Sequence, residues 1–162
     1  MKMKILPAIL LVSLCCAVAT QAKPTEPAKP IRAAIFDESA NASQQIAEAL
    51  ALAHKDGKHV LLDFGANWCI WCRRLHALFE SDPTIAAELK KNYIVVMVDV
   101  NKKHNDDVDA KYGHPTSHGL PVLVVLDADG KQLTTQDSGK LEKGKYHDPE
   151  KVLALLKEWA PK

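Results

Sequence analysis

Two cysteines separated by two residues, within Trp68-Cys69-Ile70-Trp71-Cys72, are the part of this sequence best equipped for chemistry. A pair at that spacing closes a small, readily reduced disulfide. It sits between an apolar, strand-like run, Val60 to Phe64, and a helix-like run, Arg73 to Phe79. A strand-to-helix junction places the first cysteine at a helix N-terminus, where the dipole and unpaired N–H groups favour thiolate over thiol. The chemistry implied is thiol–disulfide exchange. Metal binding is the alternative, because His76 follows Cys72 by four residues on the same helix side, so Cys69, Cys72 and His76 form a potential zinc or copper ligand set.

The remaining cysteines, Cys15 and Cys16, fall in a segment with the three parts of a secretory signal. Lys2 and Lys4 precede an apolar core from Ile5 to Ala19, and A-x-A-like sites end at Ala19 and Ala22. That core is short for a transmembrane helix, which needs about 20 residues. A lipoprotein cleaved before Cys15 or Cys16 would place bulky Leu14 where a small residue is wanted. The expected organisation is a signal peptide over 1–22, a proline-rich linker over 23–33 containing KPTEPAKP, and one domain over 34–162. Localisation would be periplasmic or secreted, soluble after cleavage and without stable membrane insertion.

Loss of the signal leaves Cys69 and Cys72 as the sole cysteines. In an oxidising compartment a small protein would use further cysteines for structural bridges, and a loop this short constrains little of the unfolded chain. The pair is therefore redox-active or metal-binding rather than architectural. Composition is ordinary for a globular domain, with 25% charged and 47% apolar residues, and the formal charge of +1 turns slightly negative once Lys2 and Lys4 are removed. No basic patch points to nucleic acid or acidic lipid.

The elements that must hold the pair follow from periodicity. Ala42 to His54 reads as a helix with Ile46, Leu50 and Ala53 on one face, Asn41 or Ser39 as N-cap and Gly57 beyond its end. His59 to Phe64 reads as a strand, followed by the cysteine turn and a helix to about Phe79. Asp82-Pro83 and Asp148-Pro149 each set a capping residue beside a proline suited to the first helical position. Tyr93 to Val100 is β-branched and nearly continuously apolar, the pattern of a strand buried on both faces. Leu120 to Asp127 and Lys131 to Thr135 flank Ala128-Asp129-Gly130, a hairpin signal. Helices alternating with strands, then a hairpin and a final helix, predict an α/β sandwich with helices on both faces.

Three segments, VLLDFGANWCIWCRR, FESDPTIAAEL and HGLPVLVVLDADGK, resemble the thioredoxin-fold family, and within it the periplasmic C-terminal domain of thiol:disulfide interchange proteins of the DsbD type. The resemblance covers roughly 34–160. It implies a thioredoxin-like three-layer sandwich with a central mixed β-sheet, acting as a thiol–disulfide oxidoreductase. It further implies that Cys69 is an exposed nucleophile, that Cys72 is the buried resolving thiol, and that no cofactor or metal is required. Protein thiols and disulfides would be the substrates, a membrane electron donor would act upstream, and the expected state is a monomer without nucleic-acid partners.

Asp63 matches the buried acid that, in that family, helps move the resolving cysteine's proton; its setting in an apolar run would favour the protonated form. The alternative is a hydrogen-bonded strand-end aspartate. The family's partner lysine aligns with Met97 here. Pro121 aligns with a cis-proline, which would leave the backbone of Leu120 free to pair with an extended substrate strand; an ordinary edge-strand proline is the alternative. Trp68 would cover the disulfide face or merely pack. Ile70 and Trp71 carry no charge, so the expectation leans toward a reductase or isomerase-like role rather than strongly oxidising chemistry. The segment His114 to His118 lengthens the connection before Pro121 and is either a partner contact or an idle loop.

Overall fold

Local capping signals place most of the helices. A computed structural model describes residues 33–162; the signal expected over 1–22, the linker residues 23–32, and Cys15 and Cys16 lie outside the described residues. Helix α1 (Ala42–Asp56) is opened by the Asn41 side chain, which accepts from the Gln44 N–H, and ends on Gly57, whose φ of 65° suits glycine. Strand β1 (His59–Gly65) leads into α2 (Ile70–Ser81), whose N-cap is Cys69 itself. Asp82 caps α3 (Pro83–Asn92) through the N–H groups of Thr84 and Ile85. Strand β2 (Tyr93–Asp99) and the short α4 (Asp106–Lys111) follow. Strands β3 (Val122–Leu126) and β4 (Gln132–Asp137) form the hairpin read from Ala128-Asp129-Gly130. A two-stranded ribbon, β5 (Glu142–Lys143) with β6 (Tyr146–His147), precedes α5 (Pro149–Glu158), capped by Asp148.

The sheet is mixed and four-stranded, in the order β2-β1-β3-β4, with β1 parallel to β2 and antiparallel to β3. On one face, Leu62, Phe64, Val98 and Val124 pack against Ile46, Ala49 and Ala53 of α1 and Val108 of α4. On the other, Leu61, Leu123 and Val125 pack against Leu75 of α2, Ile85 of α3 and Val152 and Leu156 of α5. This is the expected sandwich, with all five residues of β3 buried at its centre.

Three expectations need correction. Strand β2 is not covered on both faces: it forms a sheet edge, Ile94 and Met97 are half-buried and Val95 is 37% exposed. A β-branched run reports strand propensity, which an edge strand shares with a central one. Strand β3 starts at Val122 rather than Leu120, because Pro121, joined to Leu120 by a cis peptide bond, has no N–H to give the ladder. Helix α2 begins at Ile70 rather than Arg73, so the second cysteine lies inside its first turn.

Candidate active site

The end of β1 aims the chain at the redox pair, and α2 fixes it there. Cys69 and Cys72 are joined as a disulfide with Cα atoms 5.3 Å apart. Cys69 Sγ accepts the N–H of Cys72 at 3.1 Å, so a sulfur occupies the place that a serine or aspartate oxygen takes in most helix caps. When the bond is reduced, that donor and the positive end of α2 both favour charge on Cys69.

Exposure separates the two sulfurs only narrowly. Cys69 retains 5% and Cys72 none. The first cysteine is thus far less open than the resemblance implied, because the neighbouring chain closes over it: Leu120 O lies 3.7 Å from its Sγ, and Trp71, Met97 and Leu120 pack around the pair. A disulfide sulfur carries no hydrogen, so the Leu120 contact becomes a hydrogen bond only once Cys69 is reduced and protonated. Trp68 is 69% exposed and donates its indole N–H to Asn101 Oδ1 at 3.1 Å.

Asp63 is buried, and among the described residues neither carboxylate oxygen has a hydrogen-bond partner. Its neighbours across the sheet are Met97 and Leu123, which offer no charge. Desolvation pushes its pKa up to about 8. Among the described residues no protein group supplies the hydrogen bond that a strand-end aspartate would need. Asp63 shares a sheet face with Gly65, and a Cβ placed on Gly65 would stand 2.9 Å from Cys72 Sγ, so the acid lies one pleat back on the face that meets the resolving cysteine.

Sequence reasoning missed the floor of the site. Phe36, 1% exposed, packs with both cysteines and presses so closely on Gly65 that any side chain there would collide with its ring. The Asn67 side chain clamps this segment: Oδ1 accepts from the N–H groups of Ile35 and Phe36 at 2.9 and 3.0 Å, and Nδ2 donates to Phe36 O. Asn67, just before the motif, was the one available signal. Removing the ring opens a cavity under the disulfide, so Phe36→Ala should lower unfolding free energy by about 3–5 kcal/mol. Chemical denaturation of the oxidised protein checks this; a loss under about 1 kcal/mol would mean that the segment covers the site without supporting it.

His76 does not join the cysteines. Its Nδ1 lies 3.4 Å from Glu80 Oε2, and among the described residues no three His, Cys, Asp or Glu side chains gather as a metal site. The His114–His118 segment has an internal role: His114 Nδ1 and the Thr116 N–H both contact the Asp109 carboxylate, at 3.0 Å each.

Comparison with known proteins agrees with this geometry. A family profile described as Thioredoxin-like matches residues 41–128. Among curated relatives, the chain is 31% identical over 91 residues to the thiol:disulfide interchange protein DsbD of Vibrio vulnificus strain CMCP6, covering 56% of this chain and 15% of that protein. It is 30% identical over 109 residues to the DsbD of Klebsiella pneumoniae, covering 67% and 17%. The chain thus spans about a sixth of the length of these relatives. A crystal structure of a disulphide isomerase from Xylella fastidiosa Temecula1 superposes with a TM-score of 0.69 at 33% identity, over 76% of this chain and 95% of that one. The oxidised C-terminal domain of Neisseria meningitidis DsbD shares the fold, with a TM-score of 0.53 at 20% identity over 74% and 96%.

Proposed function

Because this chain belongs to the thioredoxin-like family, we propose that it is a thiol–disulfide oxidoreductase of the periplasm or extracellular space that reduces disulfides in protein clients. The observation that carries this reading is the unequal placement of two sulfurs in one disulfide. One caps α2, accepts a backbone N–H and keeps a sliver of exposure; the other lies inside the helix with none.

The reaction starts from the dithiol. Cys69 thiolate attacks one sulfur of a client disulfide, forming a Cys69–client mixed disulfide and releasing the other client sulfur as a thiolate, which takes a proton. Cys72 then loses its proton to the Asp63 carboxylate and attacks Cys69 Sγ. That step forms the Cys69–Cys72 disulfide found here and releases the second client thiol. Two electrons pass to the client, and a dithiol electron donor in the membrane restores the reduced pair. The Leu120 backbone, beside Cys69 Sγ and ahead of Pro121, pairs with an extended client segment, and exposed Trp68 contributes apolar contact.

The lean toward reduction rests on charge. Ile70 and Trp71 bring none to the sulfurs, so thiolate stabilisation depends on one backbone N–H and the helix end. Residues 1–22 act as the signal peptide, leaving 23–33 as a tether to the domain.

Mixing anaerobically purified, reduced protein with a disulfide-bonded client tests the proposal. Each equivalent of protein should yield two client thiols, and envelope-derived protein should have the intact mass of a chain starting at Thr20 or Lys23 without acyl groups. Stoichiometric copper or zinc with no thiol transfer would establish the metal-carrier reading instead.

A further inference from the structure

The β5–β6 ribbon lies against α2, and between them opens a cavity of about 430 Å³ lined by Arg74, Leu78, Ser81, Tyr146, His147 and Pro149. Arg74 is its cation. The guanidinium rests 4.6 Å from the ring centroid of Trp71 and 5.4 Å from that of Tyr146, and among the described residues it has no hydrogen-bonded acceptor and no acidic partner. Among the described residues no carboxylate lines the cavity. The nearest acid in sequence, Asp148, caps α5 and faces Lys143 at 3.5 Å.

His147 closes one wall of the cavity. It is 5% exposed, lines the same cavity, and neither ring nitrogen has a partner among the described residues. Both nitrogens are closed off from solvent, so the ring acts as a wall of the cavity and a packing partner for Trp71, not as a donor to an incoming group. Burial, then the Arg74 charge, hold its pKa below the ordinary histidine value, so the ring stays neutral and leaves Arg74 as the cation of the cavity. Trp71 stands edge-on to His147, with ring centroids 5.5 Å apart, and also packs against the cysteine cluster. The cavity is therefore one side chain away from the redox pair.

We infer that this cavity receives the carboxylate of an acidic side chain on the protein that exchanges disulfides with Cys69, paired with Arg74. The inference rests on the oxidoreductase reading and adds to it a preference among partners. Trp71 connects the two sites, because its ring carries the guanidinium and the residue also packs against the cysteine cluster.

Short cysteine peptides activated as 2-pyridyl disulfides, whose neutral leaving group adds no charge, provide the test. Glutamate or glutamine is placed in turn at each position flanking the cysteine, and kcat/KM for the reduced mature protein is measured on each pair. At one or more positions glutamate should be preferred by about tenfold. In Arg74→Gln the ratio should fall to near unity, whereas in His147→Phe, which keeps a ring against Trp71 and leaves the guanidinium in place, the preference should persist. Read within each variant, the ratio is independent of changes in basal rate. Exchange without glutamate preference at any position, or a preference that survives Arg74→Gln, would overturn the inference and leave the oxidoreductase reading standing. Absence of exchange with every peptide would overturn both. Inhibition by free succinate at concentrations far below those of ordinary buffers would also overturn it, since the site would then belong to a small dicarboxylate.

Discussion

Cys72→Ser should accumulate covalent adducts with client proteins in the envelope, whereas Cys69→Ser should accumulate almost none and lose disulfide-reductase activity by about a thousandfold or more. Attack requires a sulfur that is accessible and ionised. Cys69 has the cap position, the N–H donor and what exposure exists; Cys72 has none and gains a role only after Cys69 is linked to substrate. Without Cys72 the mixed disulfide has no internal exit, so it persists until an external thiol cleaves it. Non-reducing electrophoresis with and without dithiothreitol, followed by mass analysis of the adducts, reads the outcome. The reverse pattern, with adducts on Cys72, would exchange the assigned roles.

Asp63→Asn should uncouple stability from pH and slow resolution. With its pKa raised to about 8 by desolvation, folded Asp63 binds its proton more tightly than the unfolded chain does. The stability linked to that proton is fully present below about pH 4, the ordinary carboxylate range, and is lost as pH rises toward 8. Wild type should therefore weaken across this window and Asp63→Asn should not. Near pH 9 the variant should be more stable by roughly 3–5 kcal/mol, with the two within about 1 kcal/mol near pH 4. The kinetic effect has the opposite sign. Only the ionised acid accepts the Cys72 proton, so mixed-disulfide resolution in wild type should accelerate through pH 8, and the asparagine variant should resolve about a hundredfold more slowly with a flatter profile. Denaturation curves and single-turnover kinetics at matched pH separate the two effects. A pH-dependent stability shared by both proteins would assign the linkage to another group.

What could be read from the chain was what local chemistry decides. The Asn41, Asp82 and Asp148 caps, the prolines at 83 and 149, the Ala128-Asp129-Gly130 turn and the cysteine pair each announce themselves within a few residues. Asp63 could be placed too, since an acid inside an apolar run has few alternatives. Long-range partners were illegible. Phe36 reaches the disulfide through a clamp 31 residues away, and nothing in the local sequence pairs it with Asn67. The stack of Arg74, Trp71, Tyr146 and His147 depends on a two-residue ribbon too short to show periodicity. The edge position of β2 was hidden because β-branched residues suit either kind of strand, and only the strand order distinguishes them. Helix α4 escaped notice although Asp106, Asp107 and Asp109 in its first turn are a start signal in their own right.

Equilibration of the mature protein against graded mixtures of reduced and oxidised glutathione, with the Cys69–Cys72 state read by thiol alkylation and intact mass, measures whether the pair is a reversible couple and where it is poised. A single two-electron transition between roughly −200 and −270 mV is expected, the range in which the thioredoxin and glutaredoxin types of carrier reduce their partners. A transition near about −120 mV would make the protein an oxidant. No reversible transition, with both thiols retained by bound metal, would contradict the oxidoreductase assignment itself.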